Sequence, residues 1–107
     1  MIDWQDQGEH DQRRKYSRRA VKLPVRLRVG VHEIIAVTEN ISAGGAFLRV
    51  ELPAGESEVI ASIDLPQGRR LHVRAKVRWR RPQPPGVGLE FETFLVRPNE
   101  SDLAEIS

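Results

Sequence analysis

The stretch Leu71-His72-Val73-Arg74-Ala75-Lys76-Val77-Arg78-Trp79 alternates between apolar residues at odd positions and basic residues or histidine at even positions. A period of two is typical of a β-strand with one buried side and one solvent-facing side. The pattern predicts a half-buried strand whose basic side chains face solvent. The same parity predicts that Trp79 lies in the core with Val77.

Similar alternation recurs along the chain and predicts five further strands. The segments 21–29 and 59–65 show it clearly, and shorter apolar segments accompany them at 34–37, 46–52 and 87–91. Gly- and Pro-rich turn signals separate all of these segments. Six strands about ten residues apart predict an all-β fold, a small six-stranded antiparallel β-barrel, which leaves no exposed sheet edges.

The size and composition of the chain exclude several classes of protein. Its 107 residues suffice for one domain, and the absence of cysteine excludes disulfide scaffolds, thiol nucleophiles and cysteine metal sites. The three histidines are dispersed, so no metal site is expected, and no carboxylate pair, serine–histidine arrangement or phosphate loop indicates an enzyme. No apolar run approaches the ~20 residues that span a bilayer, and the opening residues do not resemble a signal peptide. We expect a cytoplasmic protein without membrane insertion.

The two ends of the chain differ in composition from the segment between them. Residues 1–12 are polar and acidic and predict a flexible N-terminal tail, while residues 13–97 form the barrel domain together with an arginine-rich arm. After Pro98, Asn99 is a suitable N-cap and acids follow in the next turn, so residues 98–107 are predicted to form a short C-terminal helix or tail.

The basic residues are strongly clustered, although the net charge is only +2. Residues 13–28, the first basic stretch, hold eight lysines and arginines and no acid, and residues 69–81, the second basic stretch, hold seven more of the 17. This polarisation favours an anionic partner. For the second stretch, an alternative is that the arginines are simply the solvent-facing residues of a strand.

Arg14 and Arg18 lie in the arm that precedes the first strand. Each carries a planar guanidinium that can grip a phosphate or the O6/N7 edge of guanine with two hydrogen bonds, or stack on a base. Lysine could supply the charge but not this geometry. The alternative is a solvated basic tail without a ligand.

A second constellation, Asn40-Ile41-Ser42-Ala43-Gly44-Gly45, lies between two predicted strands. In an extended segment, Asn40 and Ser42 point to one side while Ile41 turns inward, so an amide and a hydroxyl can meet one ligand edge. Gly44 and Gly45 allow positive φ and a close approach of a ligand to the backbone. The alternative is an ordinary turn capped by asparagine and serine.

Together the two constellations resemble the signature of PilZ domains. Arg14 and Arg18 are followed, 22 positions after the second arginine, by Asn40-x-Ser42-x-x-Gly45, and Gly86-Val87-Gly88-Leu89-Glu90-Phe91 is similar to a further family strand. The resemblance covers roughly residues 12–94. It implies a six-stranded barrel with a C-terminal helix that binds the bacterial second messenger cyclic di-GMP and signals to a protein partner, with no other cofactor.

The resemblance also implies a role for each site residue. Arg14 and Arg18 would bind guanine edges and phosphates, Asn40 and Ser42 would bind a guanine edge, and the glycines at 44 and 45 would admit the ligand close to the backbone. Arg13 occupies the position associated with the number of ligands bound, and an arginine there is compatible with two nucleotides. Lys15 and Arg78 are further candidates for ligand binding.

The chain departs from the family pattern in two places. Ser17 stands where the family often has proline or a small apolar residue, and Asn40 stands where it often has aspartate. A neutral amide accepts hydrogen bonds from guanine less strongly than a carboxylate does, so the affinity is expected to be moderate.

Two other functions remain open from the sequence. One is a PilZ-type adaptor that acts through protein contacts and does not respond to nucleotide. The other, which the sequence favours less, is a small basic barrel that binds single-stranded nucleic acid. The six aromatic residues argue against it, because most lie at core positions or motif ends and form no stacking platform.

Overall fold

The computed structural model describes residues 19–55 and 57–106. Six antiparallel strands close into a barrel in the order β1-β2-β3-β6-β5-β4, followed by one short helix. The predicted fold class is therefore confirmed. The elements are β1 (Pro24–Val29), β2 (His32–Ser42), β3 (Gly45–Arg49), β4 (Glu58–Asp64), β5 (Arg70–Pro82), β6 (Pro85–Phe94) and α1 (Glu100–Glu105).

The alternation in the sequence corresponds to the inside and outside of the barrel. Every second residue of β1 is buried, and β4 follows the same rule. Because side chains of a strand point alternately to its two faces, one apolar row from each strand fills the interior. Inward residues in this core include Val25, Leu27, Ile41, Leu48, Ala61, Ile63, Leu71, Val73, Val87 and Leu89.

The strands differ in extent from the predicted segments. Strand β2 is much longer than the segment 34–37 and runs through Asn40 to Ser42, because β3 pairs with its second half. Strands β5 and β6 continue to Pro82 and Pro85, so their hairpin projects beyond the neighbouring strands. Proline fits there because Pro82 and Pro85 pair with each other at the end of the ladder.

The prediction that Trp79 lies in the core beside Val77 is wrong. A β-bulge between these two residues shifts the register, so that Val77 pairs with Leu89 and Trp79 with Gly88. Trp79 is half-buried and stacks on Phe47 with ring centroids 5.0 Å apart. The extra residue of the bulge changes the phase of the alternation, and Trp79 therefore lies outside the core cluster.

The C-terminal helix is confirmed and begins at the predicted cap. The Asn99 side chain accepts a hydrogen bond from the Asp102 amide (2.8 Å), and the Asp102 carboxylate accepts one from the Asn99 amide (3.1 Å). Asp102 is buried and takes two hydrogen bonds, of 2.6 and 2.9 Å, from Arg69 in the β4–β5 turn. Ile106, directly after the helix, is buried in the barrel core. The cap and the Arg69 contact thus hold the start of the helix, and Ile106 holds its end.

In the described ranges no helix has the length and apolar character needed to cross a membrane.

Candidate ligand site at the end of strand β2

The second half of β2 carries the asparagine and serine of the site. A register shift between Thr38 and Asn40 places Asn40 opposite Phe47 and Ile41 opposite Ala46. Ile41 is fully buried in the core, as predicted, and alternation directs Asn40 and Ser42 away from it. Asn40 is partly exposed, whereas Ser42 is itself buried, with 4% of its surface exposed. The bulge sets this phase, because without it Asn40 would point inward like Ala36 and Thr38.

The turn from Ser42 to Gly45 satisfies its own polar groups. The Ser42 Oγ accepts a hydrogen bond from the Gly44 amide (3.2 Å) and lies 3.4 Å from the Gly45 carbonyl, to which it donates. The Gly44 carbonyl accepts from the Phe91 amide of β6 (2.9 Å). These contacts agree with the interpretation of an ordinary serine-capped turn, and the ligand-binding role of Ser42 stays a prediction.

Gly44 and Gly45 do not adopt positive φ; among the described residues only Gly30, Gly55 and Gly68 do. The turn thus does not use the positive φ that these glycines allow. At Gly45 the requirement is space, because a Cβ there would lie 2.3 Å from the Leu89 carbonyl oxygen. The absence of a side chain at Gly45 lets β3 approach β6 closely. The fold therefore requires this glycine whether or not a ligand binds beside it.

The chain enters the barrel directly beside this site. Arg19 forms an antiparallel bridge with Ile41, with hydrogen bonds of 2.8 Å from the Arg19 amide and 2.9 Å from the Ile41 amide. Ile41 lies between Asn40 and Ser42, so the bridge fixes the start of the described chain against the motif. The predicted ligand residues Arg13, Arg14, Lys15 and Arg18 lie outside the described residues.

Arg19 also connects the site to the C-terminal helix. Its Nη1 donates a hydrogen bond of 2.7 Å to the carbonyl of Glu105, at the end of α1. Cations are favourable at that position because the last carbonyls of a helix have no partner within the helix. Nothing in the sequence alone singles out Arg19, since its role depends on the bridge and on the position of the helix.

Arg78, a further ligand candidate, lies near the glycine end of the site. Its Nε bonds to the carboxylate of Glu90, which lies opposite Gly45 in the β3–β6 ladder. Both side chains are about half exposed, at 57% and 52%. The structure thus brings together Asn40, Ser42, Gly44, Gly45 and, through Glu90, Arg78.

A charged and aromatic cluster beside Asn40 was not predicted. Glu39, at the bulge, accepts hydrogen bonds from Arg81 (2.6 Å) and Arg49 (3.3 Å), which hold the pKa of its carboxyl below the usual value. The Arg81 guanidinium lies 4.6 Å from the centroid of the buried Phe47 ring. The sequence alone does not reveal this cluster, because nothing local indicates a bulge that brings Glu39 to residues 10 and 42 positions away.

The sequence model of the PilZ domain matches residues 12–107, so the chain belongs to the PilZ family. PilZ domains are regulatory binding domains and in general receptors for cyclic di-GMP.

Solved structures are similar in fold. The Bacillus subtilis inhibitor of motility (MotI/DgrA) is 26% identical with a TM-score of 0.73 over 89% of this chain, which spans only 48% of that protein. The PilZ domain of CeSA from a cellulose-synthesizing bacterium is 22% identical with a TM-score of 0.58, covering 84% of this chain and 90% of that domain. No curated protein matches the sequence significantly.

Proposed function

We propose that this chain is a cyclic di-GMP receptor and adaptor that acts in the cytoplasm, orders its arginine-rich N-terminal arm around the nucleotide and signals to a protein partner. The observation that carries the proposal is the bridge between Arg19 and Ile41. It joins the end of the arginine motif to the strand that bears Asn40 and Ser42, which are far apart in sequence. Membership of the PilZ family supplies the class of ligand.

Chain connectivity limits where the two motif arginines can act. Arg18 is bonded to Arg19, so its Cα lies about 3.8 Å from that of Arg19. Arg14 is four residues earlier, and its Cα is at most about 14 Å from that of Arg18. Both side chains are therefore tethered within reach of the turn at 42–45, and neither needs the rest of the barrel to move.

The chemistry of these residues suits a cyclic dinucleotide with two phosphates and two guanines. Guanidinium groups form paired hydrogen bonds with phosphate oxygens and with the O6/N7 edge of guanine, and they stack on the base. Asn40 offers an amide for a guanine edge, with an affinity below that of a carboxylate. Arg13 offers the charge for a second nucleotide, and Lys15 and Arg78 flank the same phosphates.

Ordering of the arm follows from a balance between entropy and charge. The arm has little apolar surface to offset the conformational entropy lost on ordering, and several cations repel one another in it. Two ligand phosphates reverse that balance by pairing with the arginines. The ordered arm and the barrel then form a composite surface that a partner protein can recognise.

Single-stranded nucleic acid is a weaker alternative because the barrel offers bases little to stack on. Among the described aromatics, Phe47 is buried beneath Trp79, and Phe91 and Phe94 pack edge to face with centroids 5.9 Å apart. Sequence-tolerant binding of single strands relies on exposed stacking surfaces.

Isothermal titration calorimetry tests the proposal. Cyclic di-GMP should release heat at tens of micromolar protein, whereas cyclic di-AMP, GTP and a short oligonucleotide should bind much more weakly. Absence of heat with cyclic di-GMP would favour the adaptor that does not respond to nucleotide. Equal heat with cyclic di-AMP would reject guanine recognition.

A further inference from the structure

The outer face of β1, β4 and β5 carries two arginines that form no ion pair, although Glu33 lies opposite Arg28 in the β1–β2 ladder and Glu58 lies in the same groove. Of the arginines in the described strands, only Arg28 and Arg74 have neither an acidic partner within ion-pair distance nor a hydrogen-bonded one. The others bond to acids or carbonyls, namely Arg26 to Glu33, Arg49 and Arg81 to Glu39, Arg70 to Asp64, Arg78 to Glu90, and Arg80 to the carbonyls of Leu52 and Pro53.

These two arginines flank an apolar side chain in one row across three strands. Arg28 lies opposite Ile60, and Ile60 lies opposite Arg74. With adjacent strands about 4.8 Å apart, the two Cα atoms are separated by about 10 Å. Ile60 is half-buried at the base of a groove of about 190 Å³, which Gly30, Val59 and Glu58 also line. We define this surface, Arg28, Ile60 and Arg74, as the arginine groove.

The surroundings of the arginine groove favour a peptide over a nucleic acid. Val31, in the adjoining β1–β2 hairpin, is 94% exposed, and Ile35 on β2 is 69% exposed. No aromatic side chain lines the groove, so it offers no surface on which the bases of a nucleic acid could stack. A matching ligand carries carboxylates on either side of an apolar side chain.

The chain itself contains such a segment outside the described residues. Residues 2–11 hold four acids and no lysine or arginine, and in Asp3-Trp4-Gln5-Asp6 two carboxylates flank an indole. We propose that this acidic segment docks in the arginine groove of its own chain, with the carboxylates at Arg28 and Arg74 and the apolar side chains on Ile60 and Val31.

The length of the chain permits this contact. Arg28 follows Arg19 by nine residues, so their Cα atoms lie at most about 31 Å apart. Thirteen residues separate Asp6 from Arg19, and they span up to about 43 Å when extended. The tether also favours the segment over free competitors, because a linked ligand acts at an effective concentration in the millimolar range.

Docking would have a consequence for the nucleotide site, and this consequence alone rests on the proposed function. In the barrel order, β4 lies opposite β3, so the arginine groove and the turn at Gly45 face away from each other. A docked acidic segment would draw the arm that follows it in sequence toward the arginine groove and away from the turn, and nucleotide binding must then release it.

Paramagnetic NMR on the full chain, without nucleotide, tests the docking. The sequence has no cysteine, so Gln5→Cys provides a single site for a nitroxide label. The amides of Arg28, Ile60 and Arg74 should lose the most signal. The loss should disappear in the labelled Arg28→Glu/Arg74→Glu variant and persist in a matched Lys22→Glu/Arg97→Glu variant, which reverses two exposed charges outside the groove.

Any of three results would overturn the proposal. The signal loss could centre on residues 13–19 or 40–45, or it could be equal in both double variants. It could also appear only between a nitroxide-labelled chain and a second, isotope-labelled chain, which would mean that the contact is intermolecular. If the groove variant fails to fold, NaCl at about 1 M, where the Debye length is about 3 Å, should abolish the effect in the singly substituted chain. Persistence at that salt concentration would also reject the ionic contact. None of these outcomes bears on whether cyclic di-GMP binds.

Discussion

The two basic stretches look alike in sequence but differ in where their countercharges lie. In the second stretch, residues 69–81, most cations already have acidic partners in the barrel or helix. Arg69 pairs with Asp102, Arg70 with Asp64, Lys76 with Glu92, Arg78 with Glu90 and Arg81 with Glu39. The described part of the first stretch contains one such pair, the exposed contact of Arg26 with Glu33 at 3.8 Å.

The difference shows what a count of charges along a sequence misses. Residues far apart in sequence become cross-strand neighbours in the barrel. Acidic residues of β6 lie beside β5, and an acidic residue of α1 lies beside the β4–β5 turn, although these acids are distant from the second stretch in sequence. The second stretch therefore agrees with the interpretation of solvent-facing strand arginines. We assign nucleotide binding mainly to the first stretch, with Arg78 as a flanking residue, and stability to the rest of the second stretch, and the predictions below separate these roles.

The largest expected effect is on nucleotide affinity. Arg14→Ala and Arg18→Ala should each weaken cyclic di-GMP binding by about 2–4 kcal/mol, or roughly 30- to 700-fold, because paired charge-assisted hydrogen bonds are lost. Arg70→Ala is the matched control in the second stretch and should change the dissociation constant by less than about twofold. Calorimetry measures all three. Wild-type affinity in either arm variant, or an equal loss in Arg70→Ala, would remove the distinction between the stretches.

The next effect concerns stoichiometry. With Arg13 present, we expect two nucleotides per chain, and Arg13→Leu should reduce the calorimetric ratio toward one while the far-ultraviolet circular dichroism stays unchanged. A ratio near one for the unmodified chain would show that Arg13 does not recruit a second nucleotide.

Stability should depend on the second stretch through Arg69. Asp102→Asn leaves the Arg69 guanidinium without its anionic partner and weakens the cap of α1, so the melting temperature should fall by on the order of 10 °C. Asp64→Asn removes an exposed partner of the same stretch, 45% exposed in the side chain, and should lower the melting temperature by only a few degrees. Thermal denaturation followed by circular dichroism gives both values. Equal shifts would contradict the structural role of the pair formed by the half-exposed Arg69 and the buried Asp102.

The smallest effect is the pH dependence of stability. Hydrogen bonds from Arg81 to Glu39 and from Arg69 to Asp102 lower the pKa of each carboxyl. Groups with a lowered folded-state pKa stabilise the fold fully above their unfolded pKa of about 4, and this stability is lost as the pH falls through the folded value. Melting temperatures should therefore decline below about pH 4, and Glu39→Gln should make the decline shallower. An identical pH profile in that variant would show that Glu39 contributes nothing.

Much of the fold could be predicted from the sequence because it depends on local regularities. Alternation identified the strands and the inward position of Ile41, and Asn99 marked the start of the helix. The wrong prediction at Trp79 and the unpredicted cluster at Glu39 share one cause. Each lies at a bulge, and a bulge is set by the register with a partner strand rather than by the residues around it. Likewise, Arg19 could not be recognised as the link between site and helix before the topology was known.

The most direct test of the central claim is amide hydrogen exchange of the whole chain with and without saturating cyclic di-GMP. We predict that protection increases in residues 12–19 and at the turn of residues 42–45, while the second basic stretch, apart from Arg78, exchanges at unchanged rates. Strong protection of residues 12–18 already present without nucleotide, or a gain confined to the second basic stretch, would contradict it.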